Sequence, residues 1–61
     1  MMLTIIIELD NDAFTGRQGS EVSRILKVLR EDIWDNDELA GYETSLRDFN
    51  GNYVGCAEVT E

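Results

Sequence analysis

A single amphipathic stripe in the middle of the chain most constrains the fold. Five apolar residues recur within residues 20–35 at offsets of 0, 3, 4, 7 and 11, a spacing that puts them on one face of a helix. Ser20 is a suitable N-cap for this helix, and Glu21 suits the positive dipole of its first turn. One helix with one apolar face needs a second layer to cover it, so the rest of the chain has to supply a sheet. The stripe consists of Val22, Ile25, Leu26, Leu29 and Ile33.

The residues on either side of the helix have the period of strands. Met2 to Leu9 is rich in β-branched residues and alternates in a way that predicts a strand with one covered face. Asn50-Gly51 is a strong hairpin signal because a type I′ turn needs positive φ at both central residues, and it predicts strands over 43–49 and 52–60. A two-residue turn at this point places Asp48 opposite Tyr53 and Leu46 opposite Gly55. A turn at Gly51-Asn52 would leave the same residues facing the core. The predicted covered positions are Leu3, Ile5, Ile7 and Leu9, then Leu46, Tyr53, Ala57 and Val59.

The order of these elements, β-α-β-β, predicts an α+β fold. We expect one compact domain over residues 1–61, with one helix packed on one face of a three-stranded antiparallel sheet. The expected strand order is 1-3-2, and a parallel pairing of the first two strands is the alternative. A chain of this length buries only roughly 60% of the surface that its unfolded form exposes, so its stability is marginal. We expect Phe14 to attach the loop over residues 10–19 to the core.

Motifs for catalysis and metal binding are missing. The chain has no histidine and therefore no imidazole base. Two acidic stretches, from Asp10 and from Asp48, begin like calcium loops but place Phe14 and Val59 at positions that need oxygen ligands. Cys56, the only cysteine, is expected to pack in the sheet rather than to act as a reactive thiol. We therefore expect no enzyme, no cofactor and no metal site.

Localisation follows from the same composition. The longest apolar run, Ile5 to Ile7, is far too short to span a membrane, and the N-terminus lacks the layout of a signal peptide. A single cysteine fits a reducing compartment. We expect a soluble protein in the cytoplasm of a host cell.

Segregated charge is the main indicator of function. The chain has 13 acidic and 5 basic residues, a formal net charge of -8. Residues 16–30 carry four bases against one acid, whereas residues 31–61 carry one base against nine acids. Carboxylates at the end of a helix oppose its dipole and are each unfavourable by about 0.3–1 kcal/mol. Solubility alone is one explanation for this charge, and a negative patch retained for binding is the other.

A negative patch of this kind favours one class of partner. It repels nucleic acid and anionic membranes, and it attracts the basic surfaces with which proteins hold nucleic acid. Trp34, beside the apolar stripe, is either an edge of the core or an aromatic anchor of this interface. The predicted contact residues are Glu31, Asp32, Asp35, Asp37 and Glu38, followed by Asp10, Asp12 and Glu43.

Three segments resemble small acidic proteins that phages and mobile elements carry. They are Ile7 to Phe14, Glu21 to Leu26 and Leu46 to Gly55, and together they cover much of the chain. With its small size and acidity, the chain is similar to anti-CRISPR inhibitors of the DNA-mimic type. The resemblance implies a phage-encoded inhibitor that occupies the basic DNA-binding surface of a Cascade-like, type I surveillance complex. We expect a monomer rather than a dimer, and a protein that does not bind nucleic acid itself.

A second hypothesis is an accessory protein-interaction module, antitoxin-like or adaptor-like, that uses the other face of the sheet. An exposed apolar patch would favour it. The residues expected to form that patch are Ile6, Arg47, Phe49 and Val54. One continuous acidic surface would favour nucleic-acid mimicry instead.

Overall fold

The structure, a computed structural model, describes all residues 1–61 and has the predicted β-α-β-β order. Both strand pairings are antiparallel, and β3 lies between β1 and β2. The predicted α+β class and the strand order 1-3-2 are confirmed, and the parallel alternative is wrong. The elements are β1 (Met2–Ile7), a 3₁₀ turn (Asp12–Phe14), α1 (Gln18–Trp34), β2 (Glu43–Arg47) and β3 (Tyr53–Thr60).

Helix α1 begins two residues earlier than predicted. Arg17 is its N-cap and makes no side-chain cap bond, whereas the Ser20 hydroxyl donates to the Arg17 carbonyl at 3.2 Å. The prediction that Ser20 is the N-cap is therefore wrong. With 17 residues, α1 is about 25 Å long, so it lies along the 36 Å axis of a molecule that measures 36 × 20 × 17 Å. This helix has neither the length nor the apolar character of a membrane-spanning segment.

The core is smaller than the apolar pattern predicts. Helix α1 packs on β2 and on the 3₁₀ turn, where Phe14 is fully buried, as expected. Of β1, only Ile7 packs against this core. Leu3, Ile5 and Leu26, which were predicted to be buried, are each 40% exposed, and Leu9 is 37% exposed. Leu3 and Ile5 are exposed because α1 leaves this side of β1 open. The buried apolar residues are Ala13, Phe14, Ile25, Leu29, Leu46, Val54 and Ala57.

The hairpin keeps the predicted pairing along most of β2 but does not have the predicted turn. Of Asn50 and Gly51, only Gly51 has positive φ, so the predicted type I′ turn is wrong. Pairing runs from Glu43 opposite Glu58 to Leu46 opposite Gly55, and the register then shifts so that Arg47 lies opposite Tyr53. This irregularity buries Val54 and leaves Tyr53 exposed, so the predicted core position of Tyr53 is wrong.

Gly55 is the point where the irregular strand passes closest to β1. A Cβ atom at Gly55 would lie 1.8 Å from the carbonyl oxygen of Ile6, far inside van der Waals contact. Only glycine therefore fits at this position while β1 and β3 keep their pairing.

Cys56 and Trp34 are also more exposed than expected. Cys56 belongs to β3, but its side chain is exposed rather than packed. Trp34, the last residue of α1, is 71% exposed, so its interpretation as a core edge is wrong.

Candidate functional site

Most of the acidic residues lie at one end of the molecule. The last turns of α1 reach the start of β2, where the Tyr42 hydroxyl donates to the Asp32 carboxylate. The start of β2 in turn lies beside the end of β3, since the Val59 amide donates to the Tyr42 carbonyl at 2.9 Å. We name this surface the acidic end. It comprises Glu31, Asp32, Asp35, Asp37, Glu38, Glu43, Glu58 and Glu61.

The carboxylates of the acidic end have no ion-pair partner. The only ion pair within 4.0 Å in the chain joins Arg24 to Glu21, at 2.8 Å and away from the acidic end. Three other arginines lie over aromatic rings, an arrangement in which the cation is attracted by the π face. The stacked pairs are Arg17 over Phe49, Arg30 over Trp34 and Arg47 over Tyr53, with guanidinium carbons 5.2, 4.9 and 3.9 Å from the ring centroids.

Two features of the acidic end oppose the stability of the fold. The last turn of α1 contains no basic residue, although cations there would complement the helix dipole. Glu43 also lies directly opposite Glu58 in the β2–β3 ladder, and like charges in that arrangement are destabilising. Carboxylates placed elsewhere on the surface would provide the same solubility without these costs, so their position favours a role in binding.

One carboxylate of the acidic end is held in place by a hydrogen bond from another element. The pKa of Tyr42 is raised to about 12, first by burial of the phenol and then by its hydrogen bond to Asp32. The phenol therefore stays protonated at neutral pH and keeps donating to this carboxylate. The Asn36 side chain also donates to the Asp32 carbonyl at 2.9 Å. The bond from Tyr42 connects the end of α1 to the start of β2, and the bond from Asn36 closes the last turn of the helix.

Trp34 places an aromatic side chain among these charges. It is the last residue of α1 and directly precedes Asp35, and its ring is covered on one face by Arg30. Tryptophan and arginine are enriched among the residues that dominate binding energy at protein interfaces. The exposed ring is therefore suited to act as an anchor beside the carboxylates.

The structure brings together six of the eight acidic residues that the sequence analysis selected. Asp10 and Asp12 are the exceptions. The side-chain amide of Asn11, which lies between them, donates a hydrogen bond to Asp48 in the β2–β3 turn, at the other end of the sheet. A strand of six residues spans about 20 Å, which separates these two carboxylates from the others. Glu58 and Glu61 were missed, although the predicted hairpin register already places Glu58 opposite Glu43.

Glu21 is buried at the end of the molecule opposite the acidic end. Its carboxylate accepts bonds from Arg24 Nε at 2.8 Å and Nη2 at 3.0 Å, and from the Phe49 amide at 2.9 Å. The hydrogen bond to Arg24 holds the pKa of Glu21 below its ordinary value, although burial acts in the opposite direction. The sequence predicts for Glu21 only a favourable position in the first turn of the helix. Its burial depends on Arg24 and on the distant turn.

Asp48 is the second buried carboxylate, and it organises the hairpin turn. It accepts bonds from the amides of Asn50 and Asn52, both at 2.9 Å, and from the Asn11 side chain at 2.8 Å. Burial alone would raise the pKa of Asp48, but the bonds from Asn52, Asn11 and Asn50 outweigh it and lower the pKa. The donors around Asp48 tie the turn to the loop before α1, which indicates a structural role.

A groove of about 400 Å³ lies between α1 and β2, with Ile25, Val28 and Phe49 among its lining residues. The hydroxyl-bearing residues Thr44 and Ser45 also line it, with no histidine or cysteine beside them. No group of three or more His, Cys, Asp or Glu residues is arranged to hold a metal ion.

Comparisons of this chain with protein-family models, with curated proteins and with solved structures found no match.

Proposed function

We propose that the acidic end binds a basic, nucleic-acid-binding surface of a host protein complex and thereby prevents DNA from binding there. The observation that carries this proposal is the set of eight carboxylates at one end of the molecule without a single ion-pair partner. Lysine and arginine side chains that normally contact phosphates would pair with these carboxylates instead. The protein itself would bind neither nucleic acid nor an anionic membrane.

The proposed partner is a CRISPR surveillance complex, most specifically a type I complex resembling Cascade. This part of the proposal depends on the similarity of the chain, in its small size and acidity, to anti-CRISPR inhibitors of the DNA-mimic type. A channel that holds a nucleic-acid duplex is positively charged and would therefore attract a small acidic protein. Trp34 would supply the apolar contact that a purely ionic interface lacks, since buried aromatic anchors carry much of the energy of protein interfaces.

An accessory protein-interaction module is the alternative function. Exposed apolar side chains on the sheet, such as Ile6 and Tyr53, favour it. The patch expected for this function does not form, however, because Val54 is buried. In addition, Arg47 covers the Tyr53 ring and Arg17 covers Phe49. These contacts support binding through the acidic end over binding through a patch on the sheet.

A competition experiment with matched charge reversals tests the proposal. Labelled target DNA is bound to the purified surveillance complex, and the protein is titrated in at several salt concentrations. The test variant carries Asp35→Lys, Asp37→Lys and Glu38→Lys at the acidic end. The control variant carries Glu8→Lys, Asp10→Lys and Asp12→Lys at the opposite end and has the same net charge.

We expect the wild type and the control to displace DNA and the test variant to lose displacement, because like charges across an interface cost several kcal/mol. Displacement should also weaken as salt screens the contact over a Debye length of roughly 8 Å at physiological ionic strength. Equal loss in both variants would refute the acidic end as the site. A ternary complex of protein, DNA and surveillance complex would refute mimicry itself.

A further inference from the structure

The outer edge of β1 is an unpaired edge strand without the usual protection. β1 pairs only with β3, so its other side has no neighbour in the chain. The segment Met2–Ile7 contains no charge, no proline and no register shift, which are the devices that keep natural edge strands from pairing. It is also apolar on both faces of the sheet. The exposed side chains are Met2, Leu3, Ile5 and Ile6.

The other edge of the sheet is protected by contrast. Arg24 Nη2 donates to the Arg47 carbonyl of β2 at 3.0 Å, and Arg47 Nη1 donates to the Gly51 carbonyl at 2.7 Å. β2 also carries a charge at each end, Glu43 and Arg47. β1 is therefore the less protected of the two edges.

We propose that β1 pairs antiparallel with β1 of a second copy about a two-fold axis, so that two chains share one six-stranded sheet. The charge distribution determines both which surface can pair and whether the two strands pair parallel or antiparallel. Each copy has a net charge of -8, and β1 is an uncharged strip along which two such bodies can approach. Antiparallel pairing also places the two acidic ends at opposite ends of the shared sheet, whereas parallel pairing would place them side by side.

This arrangement accounts for the apolar residues that the monomer leaves uncovered. Leu3 and Ile5 share the sheet face with buried Ala57, which lies opposite Ile5 in the ladder, yet α1 does not cover them. In the dimer they would lie in the middle of the sheet between the two helices. Leu26 projects from the flank of α1 away from β2, because Val28 on the opposite flank lines the groove beside β2. This proposal replaces the monomer that is expected from the sequence. The dimer does not depend on the proposed function, because β1 contains none of the acidic residues.

Molar mass in solution tests the dimer. Light scattering coupled to size exclusion, across a concentration series, should give twice the 6.9 kDa mass of the chain. Raising the salt should strengthen this association, because screening weakens the repulsion between two acidic copies. Binding through the acidic end to a basic partner should weaken with salt, so the two proposals fail independently.

Two lysine substitutions at equally exposed apolar positions supply the specific test. Ile6→Lys alters β1 at a side chain that is 55% exposed, and Val28→Lys alters α1 at one that is 56% exposed. We expect Ile6→Lys to raise the dimer dissociation constant at least about tenfold, because each dimer carries two substituted edges. Val28→Lys should leave the dissociation constant unchanged. Circular dichroism checks that each variant is folded, and Met2→Lys repeats the test if Ile6→Lys is not. A wild type that stays at 6.9 kDa, equal weakening by Val28→Lys, or a mass that grows without limit would each overturn the proposal.

Discussion

Replacing Gly55 with alanine should break the sheet at the contact between β1 and β3. The added Cβ would lie 1.8 Å from the Ile6 carbonyl oxygen, 2.8 Å from its carbonyl carbon and 3.0 Å from the Ile7 Cα. All three atoms are backbone, so no side-chain rotation relieves the clash. A carbon and a carbonyl oxygen normally approach no closer than about 3.3 Å, so the two strands would have to separate locally by more than about 1 Å.

The size of this effect can be compared with the stability of the domain. Overpacking a well-packed interior typically destabilises by about 1–3 kcal/mol, and a backbone obstacle places Gly55→Ala at the upper end, about 3 kcal/mol. Typical stabilities per residue give a 61-residue domain a free energy of unfolding of about 3–9 kcal/mol. The substitution should therefore remove a third or more of the total stability.

Gly19→Ala is the matched control, because it makes the same chemical change in α1, where a Cβ would meet nothing within 4 Å. Alanine in the middle of a helix is favoured over glycine by about 0.5–1 kcal/mol, and Gly19 lies in the first turn, so this variant should be at least as stable as the wild type. Urea unfolding followed by far-ultraviolet circular dichroism measures both. Equal midpoints for Gly55→Ala and the wild type would show that β1 and β3 do not pack as described.

Two further predictions concern the core and the buried carboxylates. Leu29→Ala should destabilise the fold by about 2–5 kcal/mol and Leu26→Ala by much less, because only Leu29 is buried. Equal shifts of the urea midpoint in the two variants would contradict the observed helix face. The pKa values of Glu21 and Asp48 are lowered in the folded state, so the stability that these groups contribute is fully present above about pH 4.5 and is lost as the pH falls through those lowered values. Thermal unfolding between pH 7 and pH 2 should show this loss, with a flatter profile for Asp48→Asn than for the control Asp37→Asn. Parallel profiles for these two variants would exclude Asp48 as a source of the acid sensitivity.

The sequence predicted the fold where local signals and geometry agree. The helical stripe predicted the helix face around Ile25. The Asn50-Gly51 signal predicted the hairpin and the pairing of Leu46 with Gly55, but the type I′ turn itself was wrong. The prediction failed where a tertiary contact interrupts the alternation of buried and exposed residues along a strand. Val54 replaces Tyr53 in the core because the register shifts beside Gly55, and no period in the sequence marks that shift.

The acidic end was predictable only where its residues are close together in sequence. Residues 31–43 are neighbours in sequence and fold into one corner, so their clustering survives. Asp10 and Asp12 are separated from them because β1 runs the length of the sheet before the chain turns. The burial of Glu21 depends on donors from Arg24 and the Phe49 amide, and the latter is 28 residues away in sequence. Sequence pattern alone carries no sign of such a pairing.

The 36 Å length of the molecule has an electrical consequence. A potential that decays over a Debye length of roughly 8 Å falls to about one hundredth across that distance at physiological salt. The two ends of the protein therefore experience the field of a charged neighbour almost independently. A basic surface would attract the end that holds Asp35 and Glu43 while scarcely sensing Arg17 or Arg24 at the other. The resulting torque would turn the molecule before contact, so that it arrives with its long axis pointing at the partner.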